Sequence, residues 1–544
     1  MTPSTIVTAA QEWIAHDPDP RTAAELLECD DTELAARFAR PLTFGTAGMR
    51  GPMRAGPNGM NLAVVLRATW GVAQVLKDRC LGGSQVVVGR DARHHSEEFA
   101  AAAAEALAAQ GFDVVLLPPA PTPVTAFAVR GLGAAAGIQI TASHNPPSDN
   151  GYKVFLDGGL QIIAPADRDI EAAMDRAPHA DEIPRVPVEV NGADEVGHYV
   201  ARAARVRRGS GPVRVALTPM HGVGGQCALE ALARAGVADV HVVASQFAPD
   251  PDFPTVAFPN PEEPGASDAL LALAADVGAD IAIALDPDAD RCAVGVPGPA
   301  GWRMLSGDET GWLLGDYLLS QLEPGPVTEA TVVASTVVSS RMLAAIAAAH
   351  GAHHVETLTG FKWLARADAD RPGCTLAYAY EEAIGHCVDP AAVRDKDGIS
   401  AAVLACDLVA VLRGEGRTML DALDDLARIH GVHTTSAVTA VVGDAAAVMA
   451  RLRRNLPGQV AGVSVTVADL TERRGPQRTD ALIFTGDAAG RSLRIAVRPS
   501  GTEPKIKGYL EIRMEPTDDL TGARAAAAEL LAAARTDVRA LFAG

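Results

Sequence analysis

Short β-branched apolar runs alternate with alanine- and leucine-rich helical stretches along most of the chain, each pair joined by a turn containing Gly, Pro or Ser. Gln85–Gly89 precedes Ser96–Gln110, Val213–Thr218 precedes Gly225–Ala235, Ile281–Leu285 is a further run, and Thr331–Ser335 precedes Ser339–His350. This alternation predicts mostly parallel sheets covered by helices. The last quarter reads differently. Thr435–Val442, Ser492–Val497 and Tyr509–Arg513 are strand-like, with a helical stretch after the first, and together they predict an α+β domain. Turn residues at Arg207–Pro212, at Leu322–Pro326 and near His430–Thr435 place domain boundaries that give 1–208, 209–322, 323–434 and 435–544. Trp13, Ile14, Leu26, Leu27 and Leu34 lie near helical spacing, so the first forty residues are expected to be a helical extension on the first domain.

A length of 544 residues agrees with several domains rather than one core. The net charge of -20, with no run of Lys and Arg, argues against a nucleic-acid surface. The seven cysteines form no CxxC pair and read as reduced thiols. No signal-like N-terminus and no bilayer-length apolar stretch is found, so a cytoplasmic protein without a membrane partner is expected. Lysine is scarce: six against 41 arginines, 47 basic residues less six. A retained lysine therefore invites a role that needs a compact, titratable ammonium rather than a planar fork.

Four segments carry chemistry. In Thr141–Phe155, TASHNPPSDNGYKVF, an Asn-Pro-Pro turn after an apolar run displays Ser143, with His144 and Lys153 as proton carriers; a lone serine needs such a neighbour or must already carry the transferred group. In Ile281–Arg291, IAIALDPDADR, a strand-like run ends in Asp286, Asp288 and Asp290. In an extended backbone these share a side, and three converging carboxylates call for a hard cation, Mg2+ first. A calcium EF-hand loop fails because its glycine position is Arg291 and its closing glutamate position is Pro297. A phosphate on Ser143 would fill a further coordination place. The third segment pairs TLTGFKWL, Thr357–Leu364, with YEEAIGH, Tyr380–His386, and offers Lys362, Glu381 and Glu382, carboxylates suited to vicinal sugar hydroxyls. The fourth, VRPSGTEPKIKGY from Val497 to Tyr509, sets Arg498, Ser500, Thr502, Lys505 and Lys507 around Gly501 as an anion nest. No Walker A string occurs, and Gly222-Val223-Gly224-Gly225 is followed by Cys227 where a dinucleotide fingerprint needs glycine, so nucleotide cofactors are not expected.

With these segments in order, together with TFGTAGMRG at Thr43–Gly51 and GRDAR at Gly89–Arg93, the chain resembles the α-D-phosphohexomutase superfamily from about Thr43 to Tyr509. The resemblance implies four domains around a central cleft, three related mixed α/β domains and a C-terminal α+β domain. It implies a mutase that interconverts sugar 1-phosphate and 6-phosphate, or 5-phosphate, through a phosphoserine and a sugar bisphosphate. By the same resemblance Ser143 is the phosphoserine, Asp286, Asp288 and Asp290 bind Mg2+ with it, and Arg50, His144 and Lys153 assist transfer. Arg291 lies beside the metal, and Thr359, Gly360, Lys362, Glu381, Glu382 and Lys396 belong to the substrate-binding set. Arg498, Ser500, Gly501, Thr502 and Lys505 grip the substrate phosphate. A sugar 1,6-bisphosphate or pentose 1,5-bisphosphate is the implied activator, and a monomer or homodimer the implied assembly. Many hexose-phosphate mutases carry serine two residues after the first glutamate of the sugar loop, where this chain has Ala383. DPDADR, YEEAIGH and RDKDG resemble the phosphopentomutase and glucose-1,6-bisphosphate synthase branch, which leaves glucose, mannose and pentose phosphates open as substrates. A sugar-phosphate sensor without turnover would be expected to lack Ser143 or the aspartates, and a phosphatase differs in passing the group to water.

Overall fold

A computed structural model describes residues 3–500 and 505–543, as two compact units: Met1–Met304 with Gly385–Ala410, and Leu305–Ile384 with Val411–Gly544. The first unit contains two sheets. In one, Gln85–Arg90 lies between Asp113–Pro119 and Ala136–Ile140, both parallel to it, and Asp149–Leu156 returns antiparallel beside Ala136–Ile140. In the other, Arg214–Thr218 lies between Asp239–Val242 and Ile281–Leu285, again both parallel, and Cys292–Gly298 returns antiparallel. In the second unit, Thr331–Thr336 lies between His353–Thr357 and Thr375–Glu381, both parallel. The same order therefore occurs three times, with the second strand outside, the first central and the third inside, because each apolar run feeds a helix that crosses over to a parallel neighbour.

The C-terminal sheet is antiparallel throughout, in the order His433–Val441, Lys505–Met514, Arg491–Pro499, Leu482–Ala488 and Thr466–Asp469, with the helix Leu520–Ala543 packed on it. The three expected strands are present, and two more, Thr466–Asp469 and Leu482–Ala488, join them. The N-terminal extension forms the helices Pro3–Ala15, Pro20–Glu28 and Asp31–Phe38. Its buried Arg37 is ion-paired with Glu25 and Glu33, and Glu25 accepts from the Ala55 N–H. One expected boundary moves: the helix Gly307–Ser320, which a break at Leu322–Pro326 leaves with the second sheet, packs on Thr375–Glu381 and on the helix Met342–His350. Its glycines explain the fit, since a β-carbon on Gly311 would lie 2.5 Å from the Tyr380 ring and one on Gly315 would lie 2.6 Å from Leu343. No helix among the described residues is long and apolar enough to cross a membrane.

Candidate active site

Three of the four chemical segments occupy the same place in the repeated fold, the loop after the third strand. Ser143 follows Ala136–Ile140, the aspartates follow Ile281–Leu285, and Glu382 follows Thr375–Glu381. Each loop contains one non-glycine residue in the left-handed region, Ser143 at φ 53°, Ala289 at 51° and Ile384 at 52°. Such backbone is sparsely populated and persists only where surroundings enforce it. The loop after the first strand supplies that enforcement. Arg93 donates to the carbonyls of Ser143, Asn145, Pro146 and Asp149 at 2.6, 2.6, 2.7 and 3.1 Å. Val223 donates to the Pro287 carbonyl at 2.9 Å, and the Ser339 hydroxyl donates to Glu382 at 2.9 Å.

The first unit brings Ser143 and the aspartates together. The Ser143 hydroxyl donates to Asp286 Oδ2 at 2.8 Å and lies 3.2 Å from His144 Nδ1. Asp286, Asp288 and Asp290 are fully buried, with one ligand oxygen from each within 4.8 Å of the others. They converge through a turn that leaves the strand after Leu285, not through the pleat of an extended strand as expected from the sequence. Lys153 Nζ donates to Asp288 and Asp290 at 2.7 Å each, and Lys396 Nζ lies 3.0 Å from Asp290. Lys396, expected among the substrate contacts, is thus drawn to the acidic trio. Thr122 caps Asp288 through both its hydroxyl and its N–H, a residue that nothing in the sequence signals.

Two ammonium groups face three carboxylates. Burial, then Asp288 and Asp290, pushes the Asp286 carboxyl well above its ordinary range. Burial pushes Asp288 and Asp290 the same way, but Lys153, joined at Asp290 by Lys396 and Arg291, outweighs it and holds both below that range. Asp288 Oδ1 and Asp290 Oδ1 are buried without a hydrogen-bond partner, a costly state unless something else meets them. Hard oxygens without hydrogen-bond donors, Asp290 Oδ1 having only Arg291 Nε at 3.9 Å, fit a divalent cation. Burial, then Arg291 and Arg50, holds His144 well below the usual imidazole range, so its ring is neutral near pH 7. Arg50 donates to the Ala142 carbonyl at 3.2 Å, beside the serine.

The second unit holds the other two segments. Thr359 and Gly360 lie between His353–Thr357 and the short helix Phe361–Leu364 that carries Lys362. Glu381 ends its strand buried, whereas the Glu382 carboxylate, expected to meet sugar, is taken by the Thr336 and Ser339 hydroxyls at 3.1 and 2.9 Å. Burial, then the charge of Glu382, raises the Tyr509 phenol, and the charge of Arg498 opposes this. Ser500 N donates to the Lys505 carbonyl at 2.8 Å across the loop mouth. Gly501 and Thr502 lie outside the described residues.

Residues 41–181, 197–298 and 306–429 match the α/β/α domains I, II and III of phosphoglucomutase/phosphomannomutase. A Haemophilus influenzae protein named probable phosphomannomutase is 41% identical over 85% of this chain and 94% of its own length. The chain belongs to the phosphoglucomutase/phosphomannomutase family. Mouse phosphopentomutase is 35% identical over 93% of this chain and 90% of its own. A phosphoglucomutase/phosphomannomutase family structure from Burkholderia thailandensis shares the fold, with a TM-score of 0.68 at 21% identity over 92% of this chain and 98% of that one. As a member of this family the protein is a phosphosugar mutase, an isomerase of the intramolecular phosphotransferase kind.

Proposed function

We propose that this mutase moves a phosphoryl group between the 1- and 5-hydroxyls of a pentose through a phosphoserine at Ser143. The observation that carries the phosphoserine assignment is the hydrogen bond from the Ser143 hydroxyl to Asp286, a member of the buried trio in which Asp288 Oδ1 and Asp290 Oδ1 lack hydrogen-bond partners. Asp286, Asp288 and Asp290 would hold Mg2+ together with an oxygen of phosphorylated Ser143. When bound, the cation offsets the charge that builds on the transferring group.

In the forward step the Oγ–P bond of Ser143 breaks as a bond forms between phosphorus and the free sugar hydroxyl. Lys153, once it has given up a proton from the ammonium that faces Asp288 and Asp290, takes the hydroxyl's proton, and a proton returns to the released serine oxygen, which His144 Nδ1 hydrogen-bonds at 3.2 Å. Arg50 and Arg291 bind the phosphoryl oxygens. The product is a sugar bisphosphate, which returns its other phosphoryl group to Ser143 after turning end for end. Loss of that intermediate leaves the serine bare, so an added bisphosphate acts as activator. Thr359, Gly360, Lys362 and Glu381 meet the sugar. Arg498, Ser500, Gly501, Thr502 and Lys505 hold the phosphate that stays in place, and Glu382, pinned by Thr336 and Ser339, positions its loop.

Ala383 supports the pentose preference: it offers no hydroxyl beside Glu381, and a polar site that lacks a partner group discriminates against the ligand that needs it. The similarity to mouse phosphopentomutase agrees. The 41% identical relative supports a hexose phosphate as the second reading. Coupled assays primed with bisphosphate should give kcat/KM at least about tenfold higher for ribose 1-phosphate than for glucose or mannose 1-phosphate, one decade being about 1.4 kcal/mol. The reverse order favours the hexose, and no turnover of any of them favours a sensor.

A further inference from the structure

The turn that carries the aspartates is enclosed on three sides by glycines, none of which has left-handed backbone. A β-carbon on Gly222 would lie 2.3 Å from both Cα and O of Pro287. One on Gly224 would lie 2.5 Å from the Ala289 β-carbon, and one on Gly398 would lie 2.3 Å from the Arg291 carbonyl and 2.9 Å from that of Ala289. Conformational freedom is therefore not what these positions require. They require empty space, because each would otherwise push on the turn itself.

Val223 and Gly398 from these segments, together with Thr122, also fix the turn by hydrogen bonds. The Pro287, Asp288 and Ala289 carbonyls accept from the N–H groups of Val223, Thr122 and Gly398 at 2.9, 2.9 and 3.1 Å. Three successive carbonyls are thus held from three separate elements, and the Arg291 N–H donates to Asp286 Oδ1 at 3.0 Å. These bonds tie successive peptides of the turn to their neighbours, in the space that the glycines leave. The two orphaned oxygens, Asp288 Oδ1 and Asp290 Oδ1, belong to this segment.

We propose that Gly222, Gly224 and Gly398 are positioning residues of the cation site, whose missing β-carbons allow the three carboxylates to converge and so set the affinity for a divalent ion. This rests on the reading above that the trio binds such an ion. Gly224 gives the sharpest test because its opposing atom is a single methyl group. Gly224→Ala brings two methyls into collision, and Gly224→Ala/Ala289→Gly removes the second of them at a residue whose φ of 51° suits glycine.

The experiment is a Mn2+ titration of the full-length protein, dephosphorylated at Ser143, by calorimetry and electron paramagnetic resonance, with thermal melts of each variant. Wild type should bind one Mn2+. Gly224→Ala should bind at least about tenfold more weakly, within the roughly 10–100-fold cost of disturbing residues behind metal ligands, and the double variant should recover to near wild-type affinity. Wild-type affinity in Gly224→Ala, or a double variant no better than the single one, overturns the proposal. If Gly224→Ala is too poorly folded to titrate, the double variant decides: folded and binding supports the proposal, unfolded or weak overturns it. A wild type that binds no Mn2+ removes the cation reading itself, an outcome distinct from binding that ignores the glycines.

Discussion

Arg93→Lys should slow turnover while leaving substrate binding nearly intact. The Arg93 guanidinium is buried, lies 4.9 Å from the Phe253 ring centroid and 3.4 Å from Asp91, and donates to four carbonyls of the Ser143 loop. Lysine keeps the charge for Asp91 but has three donors on a point ammonium, which cannot reproduce a fork spanning Ser143 to Asp149. Losing one or two charge-assisted bonds at roughly 1.5–3 kcal/mol each removes about 1.5–6 kcal/mol that favours the present loop. Against this stands the left-handed conformation of Ser143, which costs roughly 1–2 kcal/mol by itself. Other bonds within the loop, Ser143 N to Thr141 Oγ1 at 2.9 Å and Asn145 N to the Ala142 carbonyl at 3.1 Å, retain part of its preference. A net loss of about 1.4–3 kcal/mol reduces the competent population about 10–100-fold. The expected result is kcat lower by that factor with KM within about twofold, measured in a coupled mutase assay on protein whose melting temperature and circular dichroism confirm folding. A folded Arg93→Lys with kcat within about threefold of wild type refutes the reasoning.

Two further outcomes follow from other buried groups. Burial pushes the Asp308 carboxyl up to about 7, although the Ser340 N–H and the Tyr380 hydroxyl donate to it at 2.8 and 2.9 Å. A raised acid binds its proton more tightly folded than unfolded, so its contribution to stability is present below about pH 4 and is lost as pH rises through 7, by up to about 4 kcal/mol. Asp308→Asn keeps the acceptor and should flatten that slope in denaturant unfolding between about pH 4 and 7; an unchanged slope contradicts it. Lys153→Arg keeps a cation beside Asp288 and Asp290 but does not readily release a proton, and should turn over at least about a hundredfold more slowly at similar KM. Near-wild-type turnover would transfer the proton-carrying role to His144.

The strands were legible where a β-branched run stood between turn residues, as at Val86–Val88 and Ile281–Leu285, because burial on both faces leaves few polar interruptions. Leu482–Ala488 was not, since Thr485, Gly486 and Asp487 dilute its apolar pattern, and only pairing with Arg491–Pro499 makes it a strand. Ser143 and the aspartates could be picked out as candidates because the expected chemistry dictates their residue types. Their supports could not. Thr122 lies 166 residues from Asp288, and Lys396 lies 106 residues beyond Asp290 by subtraction, so topology alone unites them. The Glu382 carboxylate looked available for sugar in the sequence, and the hydroxyls of Thr336 and Ser339 that occupy it come from a different strand end.

The most direct measurement follows the phosphoryl group itself. Enzyme is mixed with a sugar 1-phosphate bearing an isotopically labelled phosphoryl group, quenched during turnover, and mapped peptide by peptide. Label should appear on Ser143 at a rate at least equal to kcat and leave again when unlabelled substrate is added in excess. Full turnover with Ser143 unlabelled, or label accumulating at another residue, would contradict the account.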